Sequence, residues 1–193
     1  MRFFNTEGPI RPTDHYHLPP LSRWDMDNIE HLIAQQKYFL LHAPRQTGKT
    51  SCLLALMEHL NREGRYQALY VNIETAQTAR EDVAAAMRTI CGSISAAARL
   101  TLGEERLLGW IDTAWQERGT HGVLVGLLET WARATTTPIV LLLDEVDALV
   151  GDTLISLLRQ LRAGYNQRPA AFPQTVILCG VRDLRDYRIH ASS

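Results

Sequence analysis

Four short, mostly apolar runs divide the chain, and the segments between them carry apolar residues at helical spacing. The runs are Tyr38-Phe39-Leu40-Leu41, Ala68-Leu69-Tyr70-Val71-Asn72-Ile73, Ile139-Val140-Leu141-Leu142-Leu143 and Thr175-Val176-Ile177-Leu178-Cys179. Apolar residues at both parities predict strands buried on both faces, the habit of a parallel sheet. Asp25 or Asp27 can cap a helix running to about residue 36, with Met26, Ile29, Leu32 and Ile33 on one face. A second helix is predicted over 49–62, with Leu53, Leu54, Leu56, Met57 and Leu60 inward and Gly64 as its stop. Further helices are predicted over 79–100, 123–134 and 153–165, whereas 102–122 has no clear period. There Trp110 and Trp115 are expected as core or cover. Strands alternating with helices indicate an α/β domain with a mostly parallel sheet. Residues 1–24, with Pro9, Pro12, Pro19 and Pro20, read as an extended leader packed on a domain that occupies 25–193.

Composition narrows the class. A chain of 193 residues that is 46% hydrophobic can bury one core without staples. A formal net charge of −1 provides no global field toward nucleic acid or an acidic membrane. Lys37 and Lys49 are the only lysines. Cys52, Cys91 and Cys179 lie too far apart for metal-ligand spacing, and their odd number frames no disulfide set. No secretory apolar segment and no run of membrane-spanning length are visible, so a reduced cytoplasm is the expected compartment.

Candidate chemistry lies at the ends of two of the strands. Ala43-Pro44-Arg45-Gln46-Thr47-Gly48-Lys49-Thr50-Ser51 falls between a strand and a helix, the context that gives a phosphate-loop pattern its meaning. Backbone N–H groups of such a loop converge on polyphosphate oxygens. Gly48 lets the backbone curl without a Cβ, Lys49 brings a charge to the β- and γ-phosphates, and Thr50 offers a hydroxyl to Mg2+. Ala43 stands where the usual pattern has its first glycine. The plainer explanation is a chance Gly-Lys-Thr at a helix start. The second site is Asp144-Glu145, closing the most apolar strand. In nucleotide hydrolases such an aspartate holds the Mg2+ hydration shell, and an adjacent glutamate can act as general base. A helix cap is the plainer reading, but Asp147 suits that better. The glutamate points to the ATPase branch in which one additional strand separates the two motif strands.

At these residues the chain resembles bacterial AAA-like ATP-binding domain proteins, close to the AAA+ and STAND ATPases. Ala43 through Ser51 resembles their phosphate loop, and Leu141-Leu142-Leu143-Asp144-Glu145-Val146-Asp147-Ala148-Leu149 their second motif. Phe4-Asn5-Thr6-Glu7-Gly8-Pro9 and Cys179-Gly180-Val181-Arg182-Asp183 look like the same group. The resemblance implies a P-loop NTPase fold, a three-layer α/β/α sandwich, with ATP and Mg2+ as ligands. It makes Lys49 and Glu145 catalytic, residues 43–51 nucleotide-binding, and Thr50 and Asp144 metal-holding. It implies a switch residue at Asn72, which could equally be a strand-end turn, and a polar sensor after the fourth strand. Cys179 matches that sensor poorly, and Arg182 is the candidate. Pro9, Asp14 and Tyr16 are candidates to cover adenine. It also implies a fifth strand and a helical lid. Since the chain stops soon after Arg188-Ile189-His190, the domain is expected to be C-terminally incomplete, with a missing C-terminal domain or an unknown protein as partner.

The remaining features have bland explanations. His15 and His17 flank Tyr16 without a third ligand near in sequence. Six arginines between 159 and 188 suit a solvated face better than a nucleic-acid patch. Three functions stay open: an ATPase switch with slow hydrolysis, a nucleotide-binding module without turnover, and a DNA-associated AAA+ ATPase.

Overall fold

The computed structural model describes residues 3, 4, 11, 13–16 and 18–181. Four strands, β1 (Phe39–His42), β2 (Gln67–Asn72), β3 (Ile139–Asp144) and β4 (Thr175–Gly180), form one parallel sheet in the order β1-β4-β3-β2. The fourth strand therefore lies between the strand of the phosphate loop and the strand of the acidic pair, as the Asp144-Glu145 pairing led us to expect. Register pairs His42 with Gly180, Leu178 with Leu143, and Asp144 with Asn72, so the C-terminal ends of all four strands share one edge.

Strand parity sorts the core into two layers. Leu69, Val71, Leu141, Leu143, Val176 and Leu178 face α3 (Val83–Leu102), α4 (Leu107–Arg118), α5 (Val123–Ala134) and α6 (Gly151–Ala163). Ala68, Val140, Leu142, Ile177 and Cys179 face α1 (Met26–Ala34) and α2 (Lys49–Glu63). The result is a three-layer α/β/α sandwich, the layering that the resemblance implied. No helix among the described residues is long and apolar enough to cross a membrane.

Local chemistry explains where the elements differ from expectation. Asp25 does cap α1, accepting from the Asn28 N–H, and Gly64 ends α2 in the left-handed region. The helix expected from residue 79 begins only at Val83. Arg80 takes a positive φ of 50°, and the Asp82 carboxylate caps the new start by accepting from the Ala85 N–H at 3.0 Å. The unassigned 102–122 segment holds α4, which buries only Leu107 and Ala114 fully and so shows little periodicity. Trp110 and Trp115 do pack partly on the core, beneath the guanidinium groups of Arg106 and Arg88. α6 starts two residues before Thr153, and a separate 3-10 turn, Tyr165–Gln167, follows it. Pro20–Arg23, within the segment expected to be extended, is a 3-10 turn against α2, where the Cys52 thiol donates to the Pro20 carbonyl. β1 is only half-buried rather than covered on both faces, because among the described residues it pairs with β4 alone.

One contact ties together the sheet edge that carries the candidate residues. Asp147, in the 3-10 turn Val146–Ala148 after β3, accepts from the Val181 N–H at 3.0 Å. Gly180 passes so close that a Cβ there would fall 2.2 Å from Asp147 Oδ1. Gly180→Ala should therefore cost about 1–3 kcal/mol by overpacking. Gly92, inside α3, has no atom within 4 Å of where a Cβ would be. Gly92→Ala should gain up to about 1 kcal/mol from helix propensity. Thermal unfolding of the two variants checks both signs, and a harmless Gly180→Ala would refute the close packing at β4.

Candidate functional site

The loop after β1 leads straight into the N-terminus of α2. The Thr47 hydroxyl donates to the Pro44 carbonyl at 2.9 Å and closes a turn over Pro44, Arg45, Gln46 and Thr47. Gln46 (φ 61°) and Gly48 (φ 82°) both take left-handed conformations, which curl the backbone into a concavity. Gly48 is the N-cap of α2, and no side chain caps that helix. Helix geometry leaves the N–H groups of Lys49 and Thr50, at the start of α2, without intrahelical acceptors. An uncapped helix start with such donors is the kind of place where anions are favoured. The Lys49 ammonium spans the loop, donating to the carbonyls of Ala43 (2.8 Å) and Pro44 (3.0 Å). An ammonium has three donors, and these bonds use two.

Asp144 is placed by the same parity that sorts the core. It continues the Val140-Leu142 series, so its side chain faces α2. Thr50, in the first turn of α2, donates its hydroxyl to Asp144 Oδ2 at 2.8 Å. The two sequence motifs, 94 residues apart, thus meet side chain to side chain. Asp144 is fully buried, and a buried carboxylate must be satisfied. The Tyr70 hydroxyl donates to Oδ2 at 3.0 Å, and the Glu145 N–H donates to Oδ1 at 3.0 Å. Burial, followed by the Asp144 carboxylate, pushes the Cys179 thiol well above its ordinary pKa. Burial, then Asp144, likewise keeps the Tyr70 phenol protonated far above its usual range.

Glu145 leaves the strand in the left-handed region at φ 60° and ψ 41°. That conformation is costly for a residue with a Cβ and turns its side chain away from the strand's alternation. Burial pushes its carboxyl pKa up first, then Asp144, Asp147 and Glu74 do so, with Lys49 opposing. Asn72 stands beside Asp144 in register, and its Oδ1 accepts from the Glu74 N–H at 2.8 Å. It turns the chain into the 3-10 helix Glu74–Ala79, and no hydrogen bond joins it to Glu145 among the described residues. Arg182 and Pro9 lie outside the described residues. Asp14 and Tyr16 are exposed, and the Tyr16 ring packs 5.0 Å from that of Phe4. His15 spends its Nδ1 on the Arg11 N–H, and His17 lies outside the described residues. Of the arginines between 159 and 188, Arg162 and Arg168 stack on the Tyr165 ring.

A family model for the AAA domain matches residues 33–187, which include both motifs and all four strands. The chain belongs to the AAA domain family. Curated proteins provide no significant match. As an AAA domain with an α/β/α sandwich, the protein is a P-loop domain of nucleotide-binding type, and ATP is the nucleotide this family implies.

Sequence reasoning overlooked Tyr70, Asp147 and Arg23 as neighbours of this AAA site. Tyr70 was legible in principle, because it lies two residues before Asn72 and so shares its face of β2. Arg23 was not. Its guanidinium comes from the turn ahead of α1, and its Nη1 lies 3.0 Å from where a Cβ on Gly48 would be. Gly48→Ala should lose about 1–2 kcal/mol from the left-handed backbone, with the Arg23 contact in addition. Thermal melts without nucleotide measure this, and unchanged stability would show that the loop does not enforce that conformation.

Proposed function

We propose that the protein binds Mg-ATP through residues 43–51 and Asp144, and hydrolyses the β–γ phosphoanhydride slowly. The observation that carries this reading is the 2.8 Å bond from the Thr50 hydroxyl to Asp144 at the mouth of an uncapped helix. A hydroxyl and a carboxylate side by side are hard oxygen donors of the kind Mg2+ takes. Because Thr50 spends its one proton on Asp144, both of its lone pairs remain for a cation. A cation held there would neutralise charge on the β- and γ-oxygens.

The chain's own groups supply the rest. The N–H groups at the start of α2 donate to phosphate oxygens, and Lys49 can swing from the loop carbonyls to the β- and γ-phosphates. Glu145, as carboxylate, takes a proton from water while the water oxygen bonds to the γ-phosphorus, and ADP leaves. A raised carboxyl pKa suits a base meant to accept that proton. Arg23 is a second cation beside the loop.

The proposed output is a conformational switch read by a protein partner or a further domain. The Asp147 link from the Glu145 corner to Val181 supports a route for it. Among the described residues no observation favours nucleic acid, and two of the arginines that suggested it, Arg162 and Arg168, are stacked on a tyrosine. Three buried free thiols fit a reducing cytosol.

A fluorescent ATP analogue titrated with Mg2+ should bind saturably to the parent, and Lys49→Ala should lose that binding by tenfold or more, about the loss of one charge-assisted contact. A folded parent without saturable binding would refute the reading. Glu145→Gln should keep binding while phosphate release falls by about 100-fold or more, the usual worth of a general base. Parent protein that binds but releases no phosphate would instead identify a nucleotide-binding module.

A further inference from the structure

Asp144 has a partner that no nucleotide motif accounts for. Tyr70 sits in the middle of β2, two residues before the strand end, and its ring packs in the apolar layer between the sheet and α2. Parity aims it at the helix face, as it does Asp144 from the neighbouring strand. Its hydroxyl donates to the same oxygen, Oδ2, that receives the Thr50 proton.

The two donors have different duties. A carboxylate oxygen has two acceptor directions, and here Thr50 takes one and Tyr70 the other. The Glu145 N–H holds Oδ1 from the opposite side. With both oxygens pinned, the carboxylate cannot turn about its Cβ–Cγ bond, and the Thr50 proton has one place to go. The lone pairs of Thr50 are then aimed away from Asp144, toward the loop. Tyr70 is itself held in the β2–β3 ladder, where it pairs with Leu142.

Resting on the Mg-ATP reading, we infer that Tyr70 is a positioning residue for the cation pair, its hydroxyl orienting Asp144 and, through it, Thr50. It touches neither phosphate nor cation. Its loss acts on metal affinity and leaves nucleotide affinity in the absence of metal untouched.

The test is Tyr70→Phe, which deletes one oxygen and keeps the ring, with a cooperative thermal melt to establish the fold. The binding of a fluorescent ATP analogue is followed while Mg2+ is raised, and again in EDTA. The Mg2+ midpoint should rise about tenfold, the usual effect of removing a partner of a metal-orienting ligand. Affinity in EDTA should stay within about twofold of the parent, since no phosphate-binding donor is removed. An unchanged Mg2+ midpoint overturns the inference and leaves the Mg-ATP reading standing. Equal losses with and without Mg2+ also overturn it, showing a packing role only. A parent that binds nucleotide with no Mg2+ dependence removes the metal reading itself, and this inference with it.

Discussion

A fully buried carboxylate ends the most apolar strand of this protein, and the rest of the site is arranged around satisfying it. Asp144 follows five residues that offer no hydrogen-bonding side chain. Left alone there, its charge would be untenable. Three elements answer it. α2 brings Thr50, β2 brings Tyr70, and the turn after β3 brings the Glu145 N–H. Tyr70 arrives because parallel register and strand alternation turn it to the same face as Asp144, and Thr50 because α2 packs on that face. The carboxylate thereby fixes the relative setting of α2, β2 and β3, and the phosphate loop inherits its place from α2.

This dependence explains why the site and the fold cannot be argued separately. The left-handed Glu145 and the left-handed Gly48 lie on either side of the Thr50–Asp144 bond. One conformation frees a carboxylate from the strand's alternation, and the other bends a loop over a helix start. The Asp147 clasp on Val181 lies beside the first, and the Arg23 guanidinium beside the second.

Much of this was legible from residue order. Unbroken apolar runs marked β2, β3 and β4 to within a residue or two, because strands covered on both faces leave no polar alternation to blur. Gly64 and Asp25 marked helix ends through chemistry that acts over three or four residues. The glutamate after Asp144 anticipated β4 between β1 and β3. What escaped was of a different kind. α4 buries one narrow stripe, so its period drowned among exposed positions. The start of α3 was hidden by an alanine-rich stretch that reads as helix throughout, although Arg80 and Asp82 delay it. β1 looked like its neighbours because an apolar run does not reveal whether a strand sits at an edge. Tyr70 and Arg23 reach the site from distant segments, and contacts of that span leave no mark on local sequence.

The sheet also acts as a partition wall. Residues that meet Asp144 or form the phosphate loop come from the α1 and α2 side or from strand ends, while α3 through α6 supply the larger apolar core on the other side. Stability and chemistry are thereby housed in different rooms. Substitutions can accumulate among the helices of the thicker layer, altering the outer surface and whatever docks on it, without redrawing the geometry around Asp144. A lineage built on this plan can vary one face of the sheet while keeping the other.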